Sequence, residues 1–145
     1  MTRGAVRVFG ILSVLVFVQF SCATEEANDA SIVVKELVTS SKSWDGKLLP
    51  PYSQGQPEIT IRRISIPAGA RLETHSHPVI NAGVLMSGQL TVETTDGKIL
   101  YLKAGDPIVE VVNTLHYGIN EGTVPAEIVV FYAGIVGQAV TVSNQ

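Results

Sequence analysis

The sequence predicts an all-β domain, a sandwich or small barrel, on three observations. No long segment carries the 3.6-residue apolar period of an amphipathic helix. Short runs of alternating apolar and polar residues recur instead at regular spacing. Glycine or proline punctuates the gaps between them, as in closed all-β architectures.

Ile32 to Val38 is the first candidate strand. Ser40 to Gln56 follows as a loop rich in glycine, proline and serine, with Trp44 expected to pack as a structural cover. Ile59, Ile61, Ile64 and Ile66 alternate, but the phase slips at Arg62-Arg63, a slip that a bulge would absorb. Pro67-Ala68-Gly69 makes a turn, and Arg71 to His77 is the next strand. Gly83 to Leu85 and Gln89 to Thr94 flank a break at Ser87-Gly88. Asp96-Gly97 is a hairpin signal between Leu90/Val92 and Leu100/Leu102. Gly105-Asp106-Pro107 turns into a strand over Ile108 to Val112, and Ile119 to Thr123 reads as a turn. Ile128 to Tyr132 is continuously apolar, which suits a strand buried on both faces. Val136 to Val142 alternates and would close an edge.

Residues 1–23 read as addressing rather than fold. Arg3 and Arg7 precede the apolar run Val8 to Val18, which is shorter than the about 20 residues of a membrane-spanning helix and suits a signal-peptide core. Export to the periplasm or cell envelope is expected. Cys22 is the one cysteine, and two readings of it stay open. It is lipidated as the first residue of a lipoprotein, behind Ser21, or it is discarded by cleavage after Ala23. A mature chain starting at Thr24 without lipid would exclude the first. Residues 24–31 read as a tether, and 32–145 as one domain. Either way the domain has no disulfide.

Removing Arg3 and Arg7 leaves eight Lys/Arg against thirteen Asp/Glu, a net charge of −5. That argues against a nucleic-acid partner, which demands a basic face. Contact with membrane is expected only through the signal or a lipid anchor. A homodimer is expected through an edge strand, with Ile32 to Val38 as the candidate edge.

The chain has three histidines, and two of them form a His-x-His pair, His75 and His77. Residues two apart on a strand face one side. Both imidazoles can then enter one cavity, where His116 from a distant segment would complete a facial site for a divalent transition metal.

GARLETHSHPVINAGVLMSG, from Gly69 to Gly88, and GDPIVEVVNTLHYGIN, from Gly105 to Asn120, resemble the two motifs of the cupins. Gly69, His75, His77, Gly88, Gly105, His116 and Asn120 fall in place. Asn81 stands where the family has a glutamate, and Val111 and Asn113 replace a proline and a glycine. The resemblance covers about residues 59–132. It implies a double-stranded β-helix, or jelly-roll, barrel with His75, His77 and His116 binding Fe, Mn, Ni, Cu or Zn at its mouth.

Asn81 offers only a neutral carbonyl oxygen as a ligand or supporting group. Two carboxylates could substitute for the missing glutamate. Glu73 shares the strand parity of His75 and His77, and Glu110 lies six residues before His116. An inward acid would serve as general base or replacement ligand, although a rim position is the default for each. Gly83, Leu85 and Tyr132 are expected to line the pocket. Arg62, Arg63 or Arg71 could grip a carboxylate substrate, and one of the adjacent pair Arg62 and Arg63 is expected to face inward. Two functions follow: a metal-dependent enzyme, an oxygenase or a relative, acting on a small organic molecule, or a non-catalytic ligand-binding or structural cupin.

Overall fold

A computed structural model describes Met1 and residues 31–143. The signal segment, Cys22 and all but the last residue of the tether lie outside the described residues. The described chain is all-β, with no helix, and its nine strands form two antiparallel sheets. The strands are β1 (Pro57–Ile66), β2 (His75–Ser76), β3 (Ile80–Ser87), β4 (Gln89–Thr94), β5 (Ile99–Lys103), β6 (Pro107–Val109), β7 (His116–Ile119), β8 (Ala126–Ile135) and β9 (Val142–Ser143). One sheet runs β1-β8-β3-β6 and the other β5-β4-β7-β2-β9. Their inner faces enclose a core that includes Ile66, Val79, Leu85, Leu90, Ile108 and Ile128.

The apolar run predicted to be central is central: β8 pairs with β1 on one side and β3 on the other. The Asp96-Gly97 hairpin joins β4 to β5, with Gly97 at φ 87° and Thr94 N–H donating to Lys98 O. Gly88 turns β3 into β4 at φ 74°, and a Cβ there would stand 2.7 Å from Pro125 O. Only glycine fits both the backbone angle and the contact.

Four expectations change. Ile32 to Val38 forms no strand, and Ile32, Val33, Val34, Leu37 and Val38 are all exposed. Its β-branched composition made the segment strand-like, but a strand needs a partner, and no described strand pairs with it. The expected dimer edge is therefore not a strand in this chain.

The phase slip at Arg62-Arg63 needs no bulge. β1 stays in register with β8 from Pro57 to Ile66. Ile64 and Ile66 take the inner face with Arg62, while Ile59 and Ile61 lie outside and are 51% and 62% exposed. The bulge sits in β3 instead, between Leu85 and Ser87.

Arg71 to His77 is not a continuous strand. Arg71 makes an isolated bridge to Ile119, and pairing resumes only at His75. Val136 to Val142 likewise pairs only at its end, in β9, after a turn at Gly137.

Candidate metal centre

β2 and β7 bring the histidines together. His75 lies directly opposite His116 in the antiparallel register, and His77 follows two residues on. A parallel bridge from His77 to Val112 and a bond from Asn113 N–H to His77 O (2.8 Å) tie the two motifs to each other. Asn113 takes the left-handed conformation (φ 53°), which asparagine tolerates better than most residues. That explains how it stands in for the glycine of the second motif.

The three rings pack with centroids 4.5 to 5.0 Å apart. One ligand nitrogen from each lies within 4.8 Å of the others. Each Nδ1 faces a backbone carbonyl: His75 that of Glu73 (2.7 Å), His77 that of Val140 (2.9 Å), His116 that of Thr114 (2.8 Å). A carbonyl only accepts, so each Nδ1 carries the proton and donates. Each Nε2 is left with a bare lone pair. Burial also disfavours the charged imidazolium, holding all three pKa values below the ordinary histidine range, His77 at about 4. Three neutral imidazoles of fixed tautomer are therefore gathered at one point. This donor set fits a divalent transition metal, and the backbone tethers match the support that ligating histidines receive.

Glu110 does not take the rim position expected of it by default. It is 7% exposed, and its Oε2 lies 3.8 Å from His116 Nε2. Burial pushes its carboxyl up to about 7; the Val111 N–H, His75 and the Trp44 indole oppose the rise without cancelling it. Oε2 has no hydrogen-bond partner, and neither has Trp44 Nε1. The contact with His116 is thus not an ion pair between ionised groups. Glu110 N–H donates to Asn81 O (3.0 Å), so the acid stands on the segment beside the asparagine. The carboxyl group missing from β3 is present on the segment that follows β6.

The remaining expected site residues divide. Tyr132 is buried, with its ring 5.4 Å from that of His77. Asn81 is buried, its Nδ2 donating to Val79 O (3.2 Å) and its Oδ1 unpartnered. Glu73 is exposed at the rim, because the irregular backbone before His75 breaks the parity that would turn it inward; it contributes its carbonyl. Gly83 and Leu85 do not line the cavity. Leu85 is fully buried in the core, and the space beside Gly83 is filled by Val130, whose Cγ2 would stand 3.2 Å from a Cβ there. Arg63 pairs with Glu127 (3.5 Å), and Arg71 stacks on Tyr117 at 3.8 Å, both away from the triad.

A chamber of about 50 Å³ lies between the histidines, Glu110 and the apolar floor of Leu90, Val92, Ile128 and Val130. A wider cleft of about 270 Å³, beside Arg62 and Thr141, shares His75, His77 and Tyr132 with it.

A family model described as "Cupin domain" matches residues 62–132, spanning both histidine motifs. The chain belongs to the cupin superfamily. This cupin is similar in fold to a conserved protein with a double-stranded β-helix domain from Klebsiella pneumoniae subsp. pneumoniae, at 21% identity and a TM-score of 0.53, covering 77% of this chain and 99% of that one. It is similar also to the DMSP lyase DddQ of Ruegeria pomeroyi, at 19% identity and a TM-score of 0.52, covering 59% of this chain and 43% of that one. Lactobacillus farciminis oxalate decarboxylase matches at 21% identity and a TM-score of 0.51, over 59% of this chain and 26% of the enzyme. The cupin thus spans less than half of either enzyme, and the likeness is one of fold. No curated protein matches its sequence.

Proposed function

We propose that this cupin is an exported metalloprotein of the cell envelope that acts on a small organic molecule. The observation that carries the reading is the convergence of three neutral Nε2 lone pairs, each fixed by a backbone carbonyl, beside a buried carboxyl group. His75, His77 and His116 would hold the ion, with Glu110 as fourth ligand or general base. A divalent metal bound there would polarise a ligand oxygen or activate water or dioxygen. The chain's own part is to keep the imidazoles deprotonated, to shelter the chamber with Tyr132 and the apolar floor, and to hold a proton at Glu110. A carboxyl held near neutrality can give up or take back that proton at physiological pH.

A non-catalytic ligand-binding cupin is the second reading. Asn81, in place of the family's glutamate, is the observation that favours it, since it takes a charged ligand out of the motif. Elemental analysis of the mature domain, purified without a histidine tag and offered Fe, Mn, Ni, Cu or Zn, tests the metal on which the enzyme reading rests. Near one equivalent of one of them is expected. Less than about a tenth of an equivalent, with no uptake from any, would contradict a metalloenzyme.

A further inference from the structure

The mouth of the site carries a cation that metal binding does not use. Arg62 sits on the inner face of β1, and its guanidinium carbon lies 5.5 Å from the centroid of the Tyr132 ring. The Tyr132 ring is in turn 5.4 Å from that of His77, so the guanidinium stands one aromatic ring away from the triad. Nη1 of Arg62 donates to Thr141 Oγ1 at 3.4 Å. Among the described residues Arg62 forms no ion pair, whereas its neighbour Arg63, on the outer face, pairs with Glu127. A guanidinium has five N–H donors, and one threonine hydroxyl leaves most of them available to the cleft.

Charge sets the sign of what fits there. The three imidazoles are neutral. Glu73 at the rim and Glu110 below bring at most two negative charges. Arg62 and a divalent ion would bring three positive ones. A planar fork facing a net positive cleft suits a carboxylate, which accepts two parallel N–H bonds. The volume of about 270 Å³ suits a small molecule.

Building on the metal reading, we propose that the cleft binds a small organic carboxylate, gripped by Arg62 at the mouth, with the rest of the molecule reaching toward His75, His77 and His116. The inner position of Arg62 follows from the unbroken β1–β8 register. Thr141 and the Tyr132 ring hold the guanidinium over the opening.

The test loads the mature domain with Co²⁺ and titrates it with acetate, succinate and benzoate and with the matching neutral amides. The visible spectrum of the ion and calorimetry report binding. Carboxylates are expected to bind at least about tenfold more tightly than amides. Arg62→Gln should abolish that preference while leaving Co²⁺ uptake unchanged. Arg62→Lys should keep part of it, and Arg63→Gln all of it. A preference that survives Arg62→Gln, or the absence of any carboxylate binding to the loaded domain, would overturn the proposal and leave the metal reading standing. A domain that takes up no Co²⁺ sinks the metal reading first. Calorimetry of the metal-free domain then decides the rest: carboxylate binding lost in Arg62→Gln retains Arg62 as the anchor, and no binding removes it.

Discussion

His77→Ala is expected to lower metal affinity by more than about 100-fold, beyond the loss that follows when only a supporting partner of a ligand is removed. His77 is the most strongly perturbed of the three imidazoles, buried and kept neutral down to about pH 4. Its Nδ1 proton is committed to Val140 O, so its Nε2 has no other use. Equilibrium dialysis with elemental analysis measures the effect. Circular dichroism of the metal-free variant should still report β-sheet, because the core that carries the fold lies below the triad. An unchanged metal stoichiometry would show that the ion binds elsewhere.

Glu110→Gln is expected to move two quantities in opposite directions. In the folded domain burial holds the Glu110 proton up to about pH 7, against 4.5 for the free group. The folded chain therefore binds this proton over a window in which the unfolded chain has released it. The group's contribution to stability is complete below pH 4.5 and is lost as pH rises through 7. The amide never ionises. Metal-free Glu110→Gln should thus be more stable than the parent at pH 8 by on the order of 3 kcal/mol, and close to it near pH 4. Metal affinity should fall, since a negative charge beside the ion is gone. The histidines impose the reverse slope: their lowered pKa values cost stability as pH falls from 6.5, for His77 toward about 4. That slope is shared by both proteins apart from the Glu110 charge on His75, the smallest of the influences on that ring, so most of it cancels in the comparison. Urea midpoints across pH 4 to 8, in chelator, measure the difference. Equal stability at pH 8 would mean that Glu110 is not held in a desolvated site.

Much of the site is legible in the sequence because it depends on local spacing. His75 and His77 are two residues apart, and the motif around His116 follows its own turn, so the triad needs no knowledge of packing. The fold is legible for a similar reason: Asp96-Gly97 and the uniformly apolar Ile128 to Tyr132 each signal their structure locally. What fails is what depends on partners. Ile32 to Val38 has the composition of a strand and no strand to pair with. Glu73 has the parity of the histidines, but no strand pairing holds the backbone between Arg71 and His75. Glu110 and Trp44 are distant in sequence, and only folding brings the indole against the carboxyl. Arg62 is intermediate: the phase slip at Arg62-Arg63 shows that one arginine must face inward, and only the register with β8 shows which.

On the proposed function, three imidazoles of this chain hold one divalent metal. X-ray absorption at the metal edge of the reconstituted mature domain tests it most directly. Three imidazole nitrogens at about 2.0–2.1 Å are expected for zinc, with the remaining positions filled by oxygen. A spectrum without imidazole scattering, or one unaltered by His77→Ala, would contradict it.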